Sequence, residues 1–415
     1  MKTVFQGAND GMMHAFIASD GVESWAYVPS FLFNGPSKLR DLSKRVNFSH
    51  QYYVDATPVA GDVDFRNTVG ATETAALWKT VLIGGLGKGG RGYFALDVTT
   101  PTAASESDAR EKVLWEFPNS GSADTTVALT TPAGTTGNGF TMAANKVGYT
   151  YGKPLIVKTK AHGWVALATS GYNNGSDTGG DGHGYLFVLN VRTGALLHAF
   201  DTSVGDSGAT NGPSGLAYIS AFVPDAAYDS TVEYVYGGDL FGNVWRFDLN
   251  NVDTGQWRLK KLAQLVDSSS TKQPVTTAPE LATVLISGAT KRFVFVGTGQ
   301  YFGDSDIPGA SGANTHASQT QTMYGLVDDL SNPTGSNVVI SPLRSSLVQQ
   351  TLTTSNDERT ATSSTVNYAT KKGWYIDLPE TGERINTQPV LAVGALVFTS
   401  NIPNSDVCTP GGAVG

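Results

Sequence analysis

Residues 234–248 read Tyr234-Val235-Tyr236-Gly237-Gly238-Asp239-Leu240-Phe241-Gly242-Asn243-Val244-Trp245-Arg246-Phe247-Asp248, and the fold assignment depends on this stretch. A run of β-branched and aromatic residues comes first, a glycine-rich turn follows, and a second apolar run ends at an aspartate. Apolar runs on both sides of a glycine turn are typical of a β-hairpin. The stretch therefore predicts two antiparallel strands joined by a short turn.

The same pattern recurs along the chain. Four further copies and one partial copy lie at residues 4–16, 80–97, 164–190, 293–327 and 395–401. A hairpin cannot bury its apolar face alone, whereas hairpins stacked radially as propeller blades bury both faces and leave only short edges. We therefore predict an all-β protein, a β-propeller with long loop insertions and few short helices, as one domain over residues 1–415. Two ordinary β-sandwiches are the alternative arrangement.

Two kinds of element are expected outside the repeated hairpins. Three polar segments, residues 99–145, 303–322 and 328–365, separate the copies and are predicted to be surface loops. One helix is predicted from Ser37 to Val46, because Leu39, Leu42 and Val46 share a helical face and Ser37 is a suitable N-cap.

The composition supports this fold class and excludes several others. The chain has 48 glycines among 415 residues, 15% charged residues and 40% hydrophobic residues, which favours strands and turns over a coiled coil or a disordered chain. The net charge is −8 and no basic tract occurs, so nucleic acid is not an expected partner. The single cysteine, Cys408, excludes a disulfide framework. No apolar run is long enough to predict a transmembrane segment.

Two short motifs imitate catalytic loops. Gly85-Leu86-Gly87-Lys88-Gly89-Gly90 has the spacing of a dinucleotide-binding loop, but a strand-like run follows where that mechanism needs a helix. Gly205-Asp206-Ser207-Gly208 imitates a protease nucleophile loop, but no histidine stands in the expected setting. We interpret the first motif as a hairpin loop and the second as a linker whose glycine-rich flank through Ser214 forms a turn. We predict that the protein is not an enzyme.

An acidic segment, residues 225–233, has part of a calcium-loop spacing. Such loops place oxygen ligands at positions 1, 3, 5 and 9 and a backbone carbonyl at position 7. Asp225, Asp229 and Glu233 occupy positions 1, 5 and 9, and Thr231 occupies position 7. Ala227, at position 3, has no side-chain oxygen. The spacing alone favours a solvated acidic turn over a calcium site.

Several motifs occur in the same order across almost the whole chain. The strongest extends the opening stretch to Leu249, and others are Gly7-Ala8-Asn9-Asp10-Gly11-Met12-Met13-His14-Ala15-Phe16, Tyr53-Val54-Asp55-Ala56-Thr57-Pro58 and Phe94-Ala95-Leu96-Asp97-Val98. Together they resemble the C-terminal β-propeller of the PilC/PilY family, whose members are type IV pilus biogenesis factors and tip-associated adhesins. The resemblance implies a propeller of seven modified blades, the last of them incomplete in this chain.

The resemblance also implies function and location. It implies a non-enzymatic module that regulates pilus extension and retraction and supports surface adhesion and twitching motility. Its partners would be major and minor pilins and host or abiotic surfaces. We expect a piece of an exported protein, located in the periplasm or outer membrane, at the cell surface or at the pilus tip. By the same resemblance, Ca²⁺ is bound by Asp225, Asp229, the Thr231 carbonyl and Glu233, and opposes retraction when bound.

Two other functions are compatible with a propeller. A quinoprotein dehydrogenase would use pyrroloquinoline quinone and regular tryptophan docking repeats, whereas the seven tryptophans here are unevenly placed. A carbohydrate-binding propeller would present loop aromatics such as Tyr301 and Phe302.

Overall fold

The computed structural model describes residues 2–33, 39–118, 126–208, 210–331, 338–355 and 358–404. The chain divides into two compact units. The first comprises Met1–Ala217, Val223–Glu233 and Asp248–Arg258, and the second comprises Tyr218–Phe222, Tyr234–Phe247 and Leu259–Gly415. Each unit is built from β-sheets with buried apolar residues between them. The prediction of one domain over residues 1–415 stays a prediction.

The described residues of the first unit form sheets of three, four and six strands. The three-stranded sheet contains β1 (Thr3–Gly7), β2 (Met13–Ile17) and β3 (Glu23–Tyr27) in that order. The four-stranded sheet contains β4 (Val59–Asp64), β5 (Trp78–Gly85), β6 (Tyr93–Asp97) and β7 (Val113–Phe117), also in chain order and antiparallel. A four-stranded antiparallel sheet in chain order is the usual form of a propeller blade.

The six-stranded sheet corrects one expectation from the sequence. Its strands are β8 (Thr126–Thr131), β9 (Gly134–Thr141), β10 (Leu155–Thr159), β11 (Gly163–Thr169), β12 (Tyr185–Asn190) and β13 (Leu196–Asp201), in the order β10-β11-β12-β13-β8-β9. Residues 99–145 were predicted to be a surface loop, yet they contain β7, β8, β9 and a short helix. The prediction was wrong because β8 pairs in parallel with β13 and buries Val127, so this polar segment completes a sheet.

The apolar side chains of the first unit's strands pack together in clusters. One cluster packs side chains of β4 to β13 together, with Ile83, Trp115, Phe117 and Phe187 among its buried members. Another packs the three-stranded sheet against β5 and β6. Burial of side chains such as these contributes roughly 1.5–3 kcal/mol each. The glycine run at 85–90 connects β5 to the antiparallel β6, which confirms the hairpin loop.

The second unit begins with the opening stretch of sequence. Its first sheet contains β14 (Ile219–Phe222), β15 (Tyr234–Gly238), β16 (Asn243–Asp248) and β17 (Arg258–Gln264) in chain order. The predicted hairpin is therefore confirmed as β15 and β16. Gly242 lies in the connecting turn with φ +73°, a left-handed conformation that glycine adopts without a steric penalty.

A five-stranded sheet and two hairpins follow in the described part of the second unit. The sheet has the order β18 (Glu280–Ile286), β19 (Ala289–Gly297), β20 (Thr322–Asp328), β24 (Gly373–Asp377), β21 (Val348–Gln350). The hairpins are β22 (Leu352–Ser355) with β23 (Glu358–Ala361), and β25 (Val390–Ala392) with β26 (Ala395–Val397). Residues 328–365 were predicted to be a loop, but they supply β21 to β23, because β21 extends the sheet in parallel with β24.

Helices are few and short, as predicted. Among the described residues they are α1 (Leu39–Leu42) and α2 (Glu106–Glu111), with 3₁₀ turns at Ser30–Leu32, Phe65–Asn67, Gly87–Gly89, Ala144–Lys146, Ser176–Thr178, Thr254–Gln256, Asp304–Asp306 and Arg344–Ser346. The helix predicted from Ser37 to Val46 is shorter than expected and ends at Leu42, since Val46 is 75% exposed and does not extend the buried apolar face. The Ser37 cap lies outside the described residues. In the described part of the chain, no helix has the length and apolar character needed to cross a membrane.

Candidate functional site

The acidic segment predicted to bind calcium forms an exposed turn of the first unit. The turn begins at Asp225, whose carbonyl oxygen accepts hydrogen bonds from the backbone N–H groups of Tyr228 (3.0 Å) and Asp229 (2.8 Å). Tyr228 lies at the tip and is 90% exposed. The side chains of Asp225 and Asp229 are exposed and Glu233 is half-buried. The turn is therefore accessible to solvent and to a partner.

Backbone hydrogen bonds fix the second half of this turn to strand β10. The N–H of Lys158 donates to the Ser230 carbonyl at 2.9 Å, and the N–H of Val232 donates to the Lys158 carbonyl at 2.8 Å. These bonds make a short parallel bridge between Lys158 and Thr231. β10 is an edge strand of its sheet, so its outer N–H and C=O groups are available for this pairing.

Lys158 also contacts the turn through its side chain. The ammonium Nζ lies 2.6 Å from Oδ1 of Asp229, which also accepts hydrogen bonds from the Thr231 N–H (3.1 Å) and hydroxyl (2.8 Å). The Lys158 ammonium and the Thr231 hydroxyl lower the pKa of Asp229 below its usual value. Asp229 is therefore ionised at neutral pH and engaged by groups of the protein itself.

The donor set does not fit calcium in this arrangement. Among the described residues, no group of three or more His, Cys, Asp or Glu side chains is placed to hold a metal ion. None of residues 225–233, all of them described, has the positive φ that calcium loops place at position 6. Ala227 supplies no oxygen at position 3. Calcium binding by Asp225, Asp229, Thr231 and Glu233 stays a prediction.

Lys158 is the residue that sequence analysis missed. It lies on a strand far from the acidic segment in the chain, and no local motif marks it. In the structure its side chain is half-buried on β10. Lys158, Lys160, His162 and Thr231 also line an open groove of about 450 Å³. The turn thus lies beside a polar groove that carries two lysines.

The aromatic residues of the carbohydrate hypothesis lie in the second unit. Tyr301 and Phe302 are neighbours and are 42% and 41% exposed. The N–H of Phe302 donates to Oδ2 of the buried Asp306 at 2.6 Å, and Gln300 Nε2 donates to Oδ1 of the same carboxylate at 2.9 Å. The buried carboxylate therefore fixes the loop that presents both aromatic rings. Carbohydrate binding stays a prediction.

The segment that imitates a protease loop is organised by its aspartate. Asp206 accepts hydrogen bonds from the backbone N–H groups of Gly208 (2.8 Å), Asn211 (2.8 Å) and Gly212 (3.0 Å), which hold the pKa of its carboxyl well below the usual range. An aspartate that ties its own loop in this way is typical of a turn. The predicted turn is confirmed.

Comparison with known proteins identifies relatives over nearly the whole chain. The family model for the PilY1 beta-propeller domain matches residues 1–366. A type IV pilus biogenesis factor PilY1 homolog of Xylella fastidiosa is 30% identical over 99% of this chain and 25% of its own length. PilY1 of Pseudomonas aeruginosa PAO1 is 31% identical over 98% of this chain and 33% of its own length. The chain thus spans about a quarter to a third of these relatives.

A solved structure gives the same result. The crystal structure of the Pseudomonas aeruginosa PilY1 C-terminal domain superimposes with a TM-score of 0.67 and 26% identity, covering 97% of this chain and 76% of that chain. The predicted resemblance to the PilC/PilY family and the predicted β-propeller fold are both confirmed, whereas the number of blades stays a prediction. Because one family model covers most of its length, this chain belongs to the family of PilY1 β-propeller domains.

Proposed function

We propose that this chain is a non-enzymatic module of a type IV pilus system, located at the cell surface or pilus tip, where it contributes to pilus biogenesis. The observation that carries the proposal is the continuous match of the PilY1 propeller family to residues 1–366. The relatives that match it are named type IV pilus biogenesis factors. We further propose that the module contacts pilins, balances extension against retraction and supports adhesion and twitching motility.

A domain exchange tests this function. In a Pseudomonas aeruginosa strain that lacks its own PilY1, the C-terminal propeller of that protein would be replaced by residues 1–415, with the native N-terminal region retained. We expect surface pili, measured in sheared fractions, and twitching zones well above those of a strain that makes only the N-terminal region. A chimaera that reaches the surface at normal amounts and restores neither property would contradict the proposal.

Adhesion through the exposed aromatic pair is a second candidate activity. Exposed aromatic rings held in place by a buried carboxylate suit stacking against sugar rings, because stacking needs a flat apolar surface that is already ordered. Tyr301 and Phe302 meet this description in part, since each is about 40% exposed. Glycan-array binding that Tyr301→Ala and Phe302→Ala both remove would support the activity, and no binding by the parent chain would exclude it.

The calcium response predicted from the resemblance has its own test. Calcium at Asp229 would have to compete with the Lys158 ammonium, which already contacts Oδ1 of that carboxylate. A rise in melting temperature with millimolar calcium that Asp229→Ala abolishes would support calcium binding at the loop. No shift up to millimolar calcium would end the calcium hypothesis without affecting the pilus hypothesis.

A further inference from the structure

We propose that the ammonium group of Lys158, rather than a divalent cation, is the positive charge that holds residues 225–233 against strand β10. This inference goes beyond the pilus function, because it concerns how the exposed turn is held and not what the module binds. Its basis is the 2.6 Å contact between Lys158 Nζ and Asp229 Oδ1, together with the backbone bridge made by the same lysine.

The backbone bridge places the lysine beside the carboxylate before the side chains interact. Lys158 exchanges hydrogen bonds with Ser230 and Val232 on either side of Thr231, so its Cα lies opposite Thr231. Asp229 is therefore close to Lys158 in space whenever the bridge is formed. The ion pair is consequently pre-organised, and the entropy lost on ordering the long lysine side chain is smaller than for an isolated surface pair.

The indole ring of Trp164 also contacts the Lys158 ammonium group. Trp164 pairs with Lys158 across β10 and β11 and is only 7% exposed. Lys158 Nζ lies 5.8 Å from the ring centroid, within the range of a cation–π interaction. Trp164 in turn packs edge-on against Trp78 at 6.4 Å between ring centroids. The ammonium is thus placed between a buried indole and the Asp229 carboxylate.

The oxygen donors of the turn are engaged in a way that suits one monovalent cation. Asp229 Oδ1 contacts the lysine and also accepts two hydrogen bonds from Thr231. Calcium needs six to eight oxygen ligands around it, whereas a lysine ammonium needs only a few acceptors. The segment has an alanine at the third position of the spacing and no residue with positive φ. The ligand spacing and the backbone conformation of residues 225–233 therefore both suit a lysine ammonium better than a calcium ion.

Hydrogen exchange measured by mass spectrometry on the full chain tests this inference. The readout is the exchange rate of the peptide that contains the Thr231 and Val232 amides, with calcium or with a chelator. In the parent chain we expect the same protection under both conditions. Lys158→Met should raise the exchange rate about two- to fivefold, the range expected for loss of a partly exposed ion pair. Lys158→Arg should retain most of the protection because it keeps the charge.

Two controls make the result specific. Lys160→Met removes a nearby positive charge from the turn between β10 and β11, and it should leave exchange in residues 225–233 unchanged. Asp229→Asn should raise the exchange rate as Lys158→Met does, and the double variant should show little further increase, because both changes remove one interaction. Additive effects would contradict a direct ion pair.

Several results of the hydrogen-exchange measurement would overturn the proposal. Slower exchange of the peptide in the parent chain on adding calcium would overturn the inference and support the calcium prediction. Unchanged exchange in Lys158→Met, or the same increase in Lys160→Met, would also overturn it. The pilus proposal is tested separately, by pilus formation in the domain-exchange strain. Its failure would therefore leave the result of the hydrogen-exchange measurement unchanged.

Discussion

The indole Nε1 of Trp245 donates a hydrogen bond to Oδ2 of Asp239 at 2.9 Å, and both side chains are buried. Burial raises the pKa of Asp239, although the donors around it favour the charged form. The same carboxylate accepts hydrogen bonds from the N–H groups of Phe241 and Asn243 and from the Asn243 side chain. One aspartate therefore ties together the turn and the strand of the β15–β16 hairpin.

These hydrogen bonds explain the positions of aspartate, glycine and tryptophan in residues 234–248. Asp239 begins the turn, Gly242 adopts the left-handed conformation within it, and Trp245 returns over it from β16. Lys261 Nζ lies 5.2 Å from the Trp245 ring centroid and adds a cation–π contact. The motif is thus a structural unit that closes one hairpin.

Asp239→Asn should destabilise the second unit by about 1–3 kcal/mol, because buried donors lose a charged acceptor. Urea unfolding at neutral pH measures the change. Asp304→Asn, at an exposed acid of the same unit, is the matched control and should change the unfolding free energy by less than about 0.5 kcal/mol. Equal effects of the two substitutions would show that the carboxylate does not organise the hairpin.

Asp328→Asn should lower the free energy of unfolding by considerably more, about 3–5 kcal/mol, because it leaves a buried guanidinium without its counter-ion. Arg246 donates to both carboxylate oxygens of Asp328 at 2.7 and 3.0 Å, and the Tyr236 hydroxyl donates to the same carboxylate at 2.8 Å. Calorimetric unfolding provides the measurement. The neighbouring pair Asp329–Lys372 is about 40% exposed, and Asp329→Asn should cost at most about 1 kcal/mol.

Gly242→Ala should destabilise the protein by more than the same change at Gly288. Both glycines have positive φ, +73° and +78°, so each substitution introduces left-handed strain of about 1–2 kcal/mol. A Cβ at Gly242 would also lie 2.6 Å from the Leu265 carbonyl oxygen, whereas a Cβ at Gly288 meets nothing within 4 Å. The difference between the two unfolding free energies measures the clash, and no difference would argue against the tight turn.

The pair His183–Asp201 should make stability depend on pH. His183 Nδ1 lies 3.0 and 3.2 Å from the two carboxylate oxygens, and the Asp201 carboxylate raises the pKa of His183 even though burial opposes this. A raised folded-state pKa gives stability that is complete below the unfolded value of about 6.5 and is lost as pH rises through the folded value.

Unfolding measured between pH 5 and pH 8.5 checks this sign. The stability advantage of the parent over His183→Gln should be largest at the acidic end and should decline with rising pH, by at most about 1.4 kcal/mol per pH unit. Asp201→Asn should remove the same dependence. An advantage that grows with pH would contradict the assignment.

Local patterns predicted much of what the structure contains. The alternation around glycine turns predicted the β1–β2, β5–β6, β11–β12, β15–β16 and β19–β20 hairpins, because side-chain alternation and left-handed glycines act over a few residues. The strand-like run after residues 85–90 likewise predicted a hairpin loop there, because it is also a local signal, and β6 does follow the loop. The polar segments 99–145 and 328–365 were mistaken for loops, because Thr-rich strands that complete a sheet edge carry weak apolar alternation.

The acidic segment shows where local information ends. The order of residues is enough to locate the acidic side chains, to show that Ala227 breaks the ligand spacing and to reveal the resemblance to the PilC/PilY propellers. The contact between Asp229 and Lys158 becomes visible only in the folded chain, since strand pairing brings together residues remote in the sequence. Pairing of an edge strand depends on backbone groups that every residue carries, so side-chain identity along the chain does not reveal the partner.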